Sequence, residues 1–143
     1  MQRESCKVED LMTTSVLCLK ENDTLEEVTA QMKLANIRHI PVVDHRNHVL
    51  GIVSSHDVLK ATGDRPEPMS TRVAQFMTRA VSTVMPETPA HEAAALMLER
   101  RIGSLPVVNE QDELIGIVTE TDFLMVAHQA LLGKRVDRRS ANH

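Results

Sequence analysis

Residues 37–57 read IRHIPVVDHRNHVLGIVSSHD, and residues 102–122 read IGSLPVVNEQDELIGIVTETD. The two stretches are related by a constant offset of 65 residues, without a gap. Eight of the 21 paired positions are identical: Ile37/Ile102, Pro41/Pro106, Val42/Val107, Val43/Val108, Gly51/Gly116, Ile52/Ile117, Val53/Val118 and Asp57/Asp122. Chance gives about one, so the chain carries an internal repeat. In each copy, β-branched runs (IPVV and VLGIV, LPVV and LIGIV) enclose a polar five-residue segment. That pattern predicts two antiparallel strands joined by a turn. The runs are continuously apolar rather than alternating, so both faces of each hairpin are expected to be covered. Pro41 and Pro106 donate no ladder hydrogen bond and are expected at a strand start or an edge. Gly51 and Gly116 mark a bulge or a close backbone approach.

Each copy ends on Ser/Thr-x-x-Asp, as Ser54–Asp57 and Thr119–Asp122, followed by apolar residues. The spacing opens a helix directly off a strand, with hydroxyl and carboxylate satisfying orphan N–H groups of the first turn. The same corner also suits a ligand. A helix N-terminus presents N–H groups and a positive dipole end to a phosphate. A carboxylate beside it can accept two hydrogen bonds from a ribose diol.

Outward from the repeat, Val8–Met12 reads as a short helical turn and Val16–Leu19 as a strand. Thr24 and Glu27 form a capping box. Leu25, Val28, Met32 and Ala35 give the following helix one apolar stripe. A helix is expected from Ser55 to about Ala61, and Gly63–Pro68 breaks regular structure. The second unit begins at Val73, with Val81–Val84 as its strand. Thr88 is expected at the N-cap and Pro89 at N1 of a helix carrying Ala93, Leu96 and Met97. The final helix runs past Asp122 to about Leu132, with Gly133 as its stop. The expected boundaries are therefore 8–62 and 73–132 for the two units, 63–72 for the linker and 133–143 for a polar tail. Each unit is too small to bury much surface alone, so the two should pack together.

Composition narrows the function. A net charge of −4 provides no broad basic field for nucleic acid. With no Trp or Tyr and two Phe there is no stacking platform for single strands. Cys6 and Cys18 form no disulfide framework or metal pattern and read as reduced thiols. MQRESCKVED contains no apolar leader core, and no apolar run approaches the ~20 residues of a membrane span. A soluble, cytoplasmic protein is expected. His45 and His48 fall in the turn without supporting ligands, so no metal is expected. No nucleophile elbow or phosphate-binding glycine loop occurs among five glycines, which argues against an enzyme. Met12, Met32, Met77, Met85 and Met97 read as core filling, and Met125 as part of a dimer face.

The order of these parts, [I/L]PVV, then GIV, then Ser/Thr-x-x-Asp, twice in tandem, resembles the cystathionine β-synthase (CBS) domain. The whole resembles a CBS-domain pair, or Bateman module, over about residues 8–128. The resemblance implies an α/β (α+β) fold of two repeats, each a small three-stranded sheet with helices, packed as a pseudo-twofold pair. It also implies clefts for adenosine compounds, with AMP, ADP, ATP or S-adenosylmethionine as a regulatory ligand rather than a required cofactor, and a homodimer. Carried over by position, a first ligand site would comprise Thr14, Val16, Ile37, Arg38, His39, Ile40, Pro41, Ser54, His56 and Asp57. A second would comprise Thr78, Val81, Ile102, Gly103, Ser104, Leu105, Pro106, Thr119, Thr121 and Asp122. Arg38 would give the first site a phosphate preference; alternatively it is a solvated side chain at a helix end. The second site, with Gly103 and Ser104 in place of Arg38 and His39, would be empty, weak or suited to an adenosyl group without phosphates. The function expected is a ligand-sensing regulatory module acting on an unidentified partner in trans, since the chain holds no effector domain. The alternative is a constitutive dimeric scaffold whose clefts take no ligand.

Overall fold

The computed structural model describes residues 6–64 and 67–133; the polar tail from 134 onward lies outside them. The elements are α1 (Leu25–Ala35), β1 (His39–Val43), β2 (Val49–Ser54), α2 (Ser55–Asp64), α3 (Ala90–Arg100), β3 (Ser104–Val108), β4 (Leu114–Thr119) and α4 (Glu120–Gly133). Single 3-10 turns lie at Val8–Asp10, Pro68–Ser70 and Val73–Gln75. The fold is thus mixed α/β, with two small antiparallel sheets, β1–β2 and β3–β4. Both hairpins have the same register, Val42 opposite Gly51 and Val107 opposite Gly116, and both slip by one residue just after that pair.

Local chemistry accounts for most element ends. Thr24 and Glu27 close the α1 capping box, with the Glu27 amide donating to Thr24 Oγ1 at 3.3 Å and the Thr24 amide to Glu27 Oε1 at 3.0 Å. At α3 the expected cap shifts by one residue: Pro89 occupies the N-cap, and the Thr88 hydroxyl instead accepts from the Met85 amide at 3.0 Å. In the first turn the Asp44 carboxylate accepts from the His48 and Arg46 amides, at 2.9 and 2.8 Å. Those backbone donors hold its acidity below the ordinary carboxylate value.

The expected third strand enters each sheet as one parallel bridge, Leu19 to Val42 and Val84 to Val107. Leu19 donates to Pro41 O and accepts from the Val43 amide, both at 2.9 Å. The next bridge toward the N-terminus would need an N–H at position 41, where proline has none. Pro106 stops the Val84 segment in the same way. Neither proline weakens its hairpin. Pro41 faces Ile52, whose N–H and C=O are both bonded to Thr78 on the opposite side.

The two halves exchange their leading segments. Val73 and Met77 belong to the buried cluster of Leu19, Val28, Ile40, Val42 and Val53. Val8, with Leu11 and Met12 against it, belongs to the cluster of Val84, Ala93, Met97, Leu105, Val107 and Val118. Backbone bonds fix the exchange: Val8 N to Thr88 O at 2.8 Å, Ala90 N to Cys6 O at 2.8 Å, Val73 N to Asp23 O at 2.7 Å and Leu25 N to Thr71 O at 2.8 Å. The exchanged segments end by pairing with the hairpins, Thr13 with Ile117 and Thr78 with Ile52. The units also meet at their turns, where Asn47 Nδ2 donates to Leu114 O and the Leu114 amide to Asn47 O, at 2.8 and 2.9 Å.

This exchange explains the repeated glycines. A Cβ on Gly51 would lie 2.7 Å from Thr78 O and 2.9 Å from the Met77 sulfur. One on Gly116 would lie 2.9 Å from the Met12 sulfur and 3.1 Å from Thr13 O. A Cβ on Gly63, within α2, would meet nothing inside 4 Å. Gly51→Ala should therefore cost about 1–3 kcal/mol by displacing a backbone carbonyl. Gly63→Ala should stabilise by about 0.4–1 kcal/mol. Urea denaturation of the two variants checks the contrast, and equal stabilities would contradict it.

Candidate functional site

Each strand-to-helix corner is built as a cap. The Ser54 amide and hydroxyl donate to Asp57 Oδ2 at 2.9 and 3.0 Å, and the Asp57 amide returns a bond to Ser54 Oγ at 3.1 Å. At the second corner the Thr119 amide and hydroxyl donate to Asp122 Oδ2 at 2.8 and 3.3 Å. In both cases the cap uses one carboxylate oxygen, Oδ2. The other is not consumed by it: Asp57 Oδ1 has only a 3.3 Å contact from the Thr78 hydroxyl. Both carboxylates are partly exposed and face cavities. Capping and ligand contact are therefore compatible.

Two cavities, of about 630 and 480 Å³, lie between the repeats. The exchange of leading segments decides what they contain. The larger, the Asp122 cleft, joins Thr13, Ser15, Val16 and Ile37 of the first repeat to Ile117, Thr119, Thr121 and Asp122 of the second. The smaller, the Asp57 cleft, joins Ile52, Ser54, His56 and Asp57 to Thr78, Val81, Ser82, Ile102 and Ser104. The two residue sets expected from position are thus not kept within one repeat each. Every cleft combines the carboxylate corner of one repeat with the leading segment of the other. Arg38, His39, Gly103 and Glu120 line both cavities and form their common wall.

Of the residues singled out by position, five line neither cavity. Thr14 is exposed between two lining neighbours, Thr13 and Ser15. Ile40, Pro41, Leu105 and Pro106 are buried inside the hairpins. The consequence for charge is direct: Arg38 and His39 border the Asp122 cleft as well as the Asp57 cleft, so that cleft does not lack donors.

Of the lining residues not anticipated, two carry a charge. Glu120 stands at the repeat position of Ser55, and its carboxylate reaches the common wall; a Cβ on Gly103 would lie 2.6 Å from Glu120 Oε1 and 2.9 Å from His39 Nε2. Arg101 lines the Asp57 cleft only. It caps α3 in the left-handed region at φ 56°, where the first repeat has Asn36 at φ 54°. Asparagine tolerates that conformation, whereas a long side chain there is uncommon. An arginine matched with Asn36 at that offset is the signal that could have found it. Neither the Arg38 nor the Arg101 guanidinium makes a hydrogen bond or ion pair with a described residue. No cluster of His, Cys, Asp or Glu suited to a metal ion occurs among the described residues, and none of their helices is long and apolar enough to cross a membrane.

Burial pushes the His39 imidazole below its ordinary value of 6.5. Glu120 and Asp57 oppose the shift, Glu120 the more strongly, and Arg38 adds to it. The unfolded chain takes up this proton near pH 6.5 and the folded chain only at lower pH. The contribution to stability is therefore complete above that range and lost as pH falls. Thermal melts at about pH 7.5, 6.5 and 5.5 should show a decline in Tm that is shallower in His39→Gln. An identical decline in both proteins would contradict the assignment to His39.

The comparisons with known proteins agree with this architecture. The CBS domain model matches residues 8–64 and 73–129. A 17.7 kDa protein of Acidianus ambivalens is 32% identical over 131 residues, which cover 90% of this chain and 79% of that one. Homoserine O-acetyltransferase of Methanococcus vannielii is 33% identical over 112 residues, 78% of this chain but only 23% of the larger protein. Among solved structures, AcuB of Vibrio cholerae superposes with a TM-score of 0.83 at 36% identity, covering 94% of this chain and 99% of that one. The CBS domain pair of protein MJ0100, in complex with 5'-methylthioadenosine and S-adenosyl-L-methionine, gives a TM-score of 0.81 at 26% identity, with coverage of 88% and 98%. CBSX2 in complex with AMP gives 0.76 at 26% identity, with coverage of 86% and 96%. Two family matches in tandem, on a fold that builds its clefts from both of them, make this chain a member of the CBS domain family, as a tandem pair.

Proposed function

We propose that this CBS pair is a regulatory module whose two clefts bind adenosine compounds and whose ligand state is read by a partner in trans. One observation carries the reading: each Ser/Thr-x-x-Asp corner faces a cavity closed by the leading segment of the other repeat. The lining of each cavity includes an isoleucine, Ile52 or Ile117, suited to the face of a purine. A carboxylate oxygen outside the cap suits a ribose diol. The similar structures in complex with AMP, 5'-methylthioadenosine and S-adenosyl-L-methionine support the ligand class.

Charge sorts the clefts. The Asp57 cleft has two guanidinium groups, Arg38 and Arg101, beside His39 and His56. The Asp122 cleft has the guanidinium of Arg38 alone, beside His39, while each cleft holds two carboxylates, Glu120 with Asp122 or with Asp57. A phosphorylated adenine nucleotide suits the first, and an adenosyl group without a phosphate chain suits the second. Because the ligand touches both repeats, it can shift their relative placement by its differential affinity for the two arrangements. Leu124 and Met125 on α4 are 70% and 59% exposed, with Leu131 and Leu132 further along. That apolar face supports self-association into a dimer.

AMP, ATP and S-adenosylmethionine at about 100 times Kd should each raise Tm by on the order of 5–10 °C. Asp57→Ala should weaken nucleotide binding at least about tenfold, as measured by calorimetry. A flat thermal-shift response to every adenosine compound would favour the constitutive scaffold instead.

A further inference from the structure

The common wall makes the clefts interdependent. Arg38 borders both, and its counterpart in the second repeat is Gly103, so symmetry supplies no second guanidinium there. Glu120 also borders both, and its counterpart is Ser55. Arg101 serves the Asp57 cleft alone, and its counterpart in the Asp122 cleft is Asn36. We propose that the two clefts are negatively coupled for phosphorylated ligands, because they compete for the single guanidinium of Arg38.

The coupling rests on the ligand reading above and adds a regulatory rule to it. A phosphorylated ligand in the Asp57 cleft is held by Arg38 and Arg101 together. A second one, in the Asp122 cleft, then meets Glu120 and Asp122 with no free guanidinium. Its binding is weakened, and by reciprocity it weakens the first to the same degree. A neutral ligand such as 5'-methylthioadenosine makes no demand on Arg38, so it fills either cleft without this penalty. One phosphorylated and one uncharged ligand per chain is the preferred loaded state.

Calorimetry and backbone-amide NMR on the full chain, which follow each cleft separately, test this with ATP and 5'-methylthioadenosine. In the wild type, filling the Asp57 cleft with ATP should weaken ATP binding in the Asp122 cleft by about tenfold, relative to Asp57→Ala measured below the ATP concentrations that fill its weakened Asp57 cleft. The same comparison with 5'-methylthioadenosine should show no change. Arg38→Ala, an exposed position, should abolish the difference, and Arg38→Lys should restore most of it. An ATP affinity of the Asp122 cleft that is independent of the other cleft, or a coupling that survives Arg38→Ala, overturns the proposal and leaves the ligand reading intact. Absence of binding by either compound overturns both.

Discussion

The exchange of leading segments governs the rest of the molecule. Thr78 pairs with Ile52 on the outer side of β2, and Thr13 with Ile117 on the outer side of β4. Those two contacts bring backbone from one repeat so close to the hairpin of the other that a Cβ at 51 would lie 2.7 Å from a carbonyl oxygen and one at 116 would lie 3.1 Å from another. They also carry Val73 and Met77 into one buried cluster and Val8 into the other. Burial, glycine placement and cleft composition are consequences of the same crossing. Each cluster spends apolar residues from both repeats, so the hydrophobic driving force for each half includes the ordering of its neighbour.

Within that nearly symmetric frame, several differences between the repeats fall on the cleft linings. Arg38/Gly103, His39/Ser104, Ser55/Glu120 and Asn36/Arg101 are all non-identical pairs at the shared offset. The hairpin cores between them are almost unchanged, as Val42/Val107, Val43/Val108 and Val53/Val118 show. The scaffold is therefore duplicated while its electrostatics are not. His39 illustrates the effect: it is partly buried beside Glu120 and Arg38, in a mixed field that no residue of the second repeat experiences from the corresponding position.

The hairpins, their turns and the strand-to-helix corners were legible because they are local. The β-branched runs, the polar turn and Ser/Thr-x-x-Asp each act within a few residues. Thr24 with Glu27 was legible for the same reason. The partition of residues between clefts was not, because it depends on which strand edge receives Thr13 and Thr78, a contact between residues far apart in the chain. Ile40 and Leu105, grouped with the site by position, line neither cavity for a related reason. A segment assigned by position includes residues on both sides of a strand, and alternate side chains point into the hairpin core instead. The third strand was legible as a segment, but its reduction to one bridge required knowing that the missing amide of Pro41 or Pro106 faces it. Arg101 carried a usable signal in its mismatch with Asn36.

Because each cleft draws one wall from either repeat, a half-length polypeptide would contain two incomplete walls and no enclosed space. A single half could therefore form such a cleft only when held face to face with a second copy. Fusion frees the copies to diverge, since a change such as glycine for arginine at one position then alters a single wall once rather than twice.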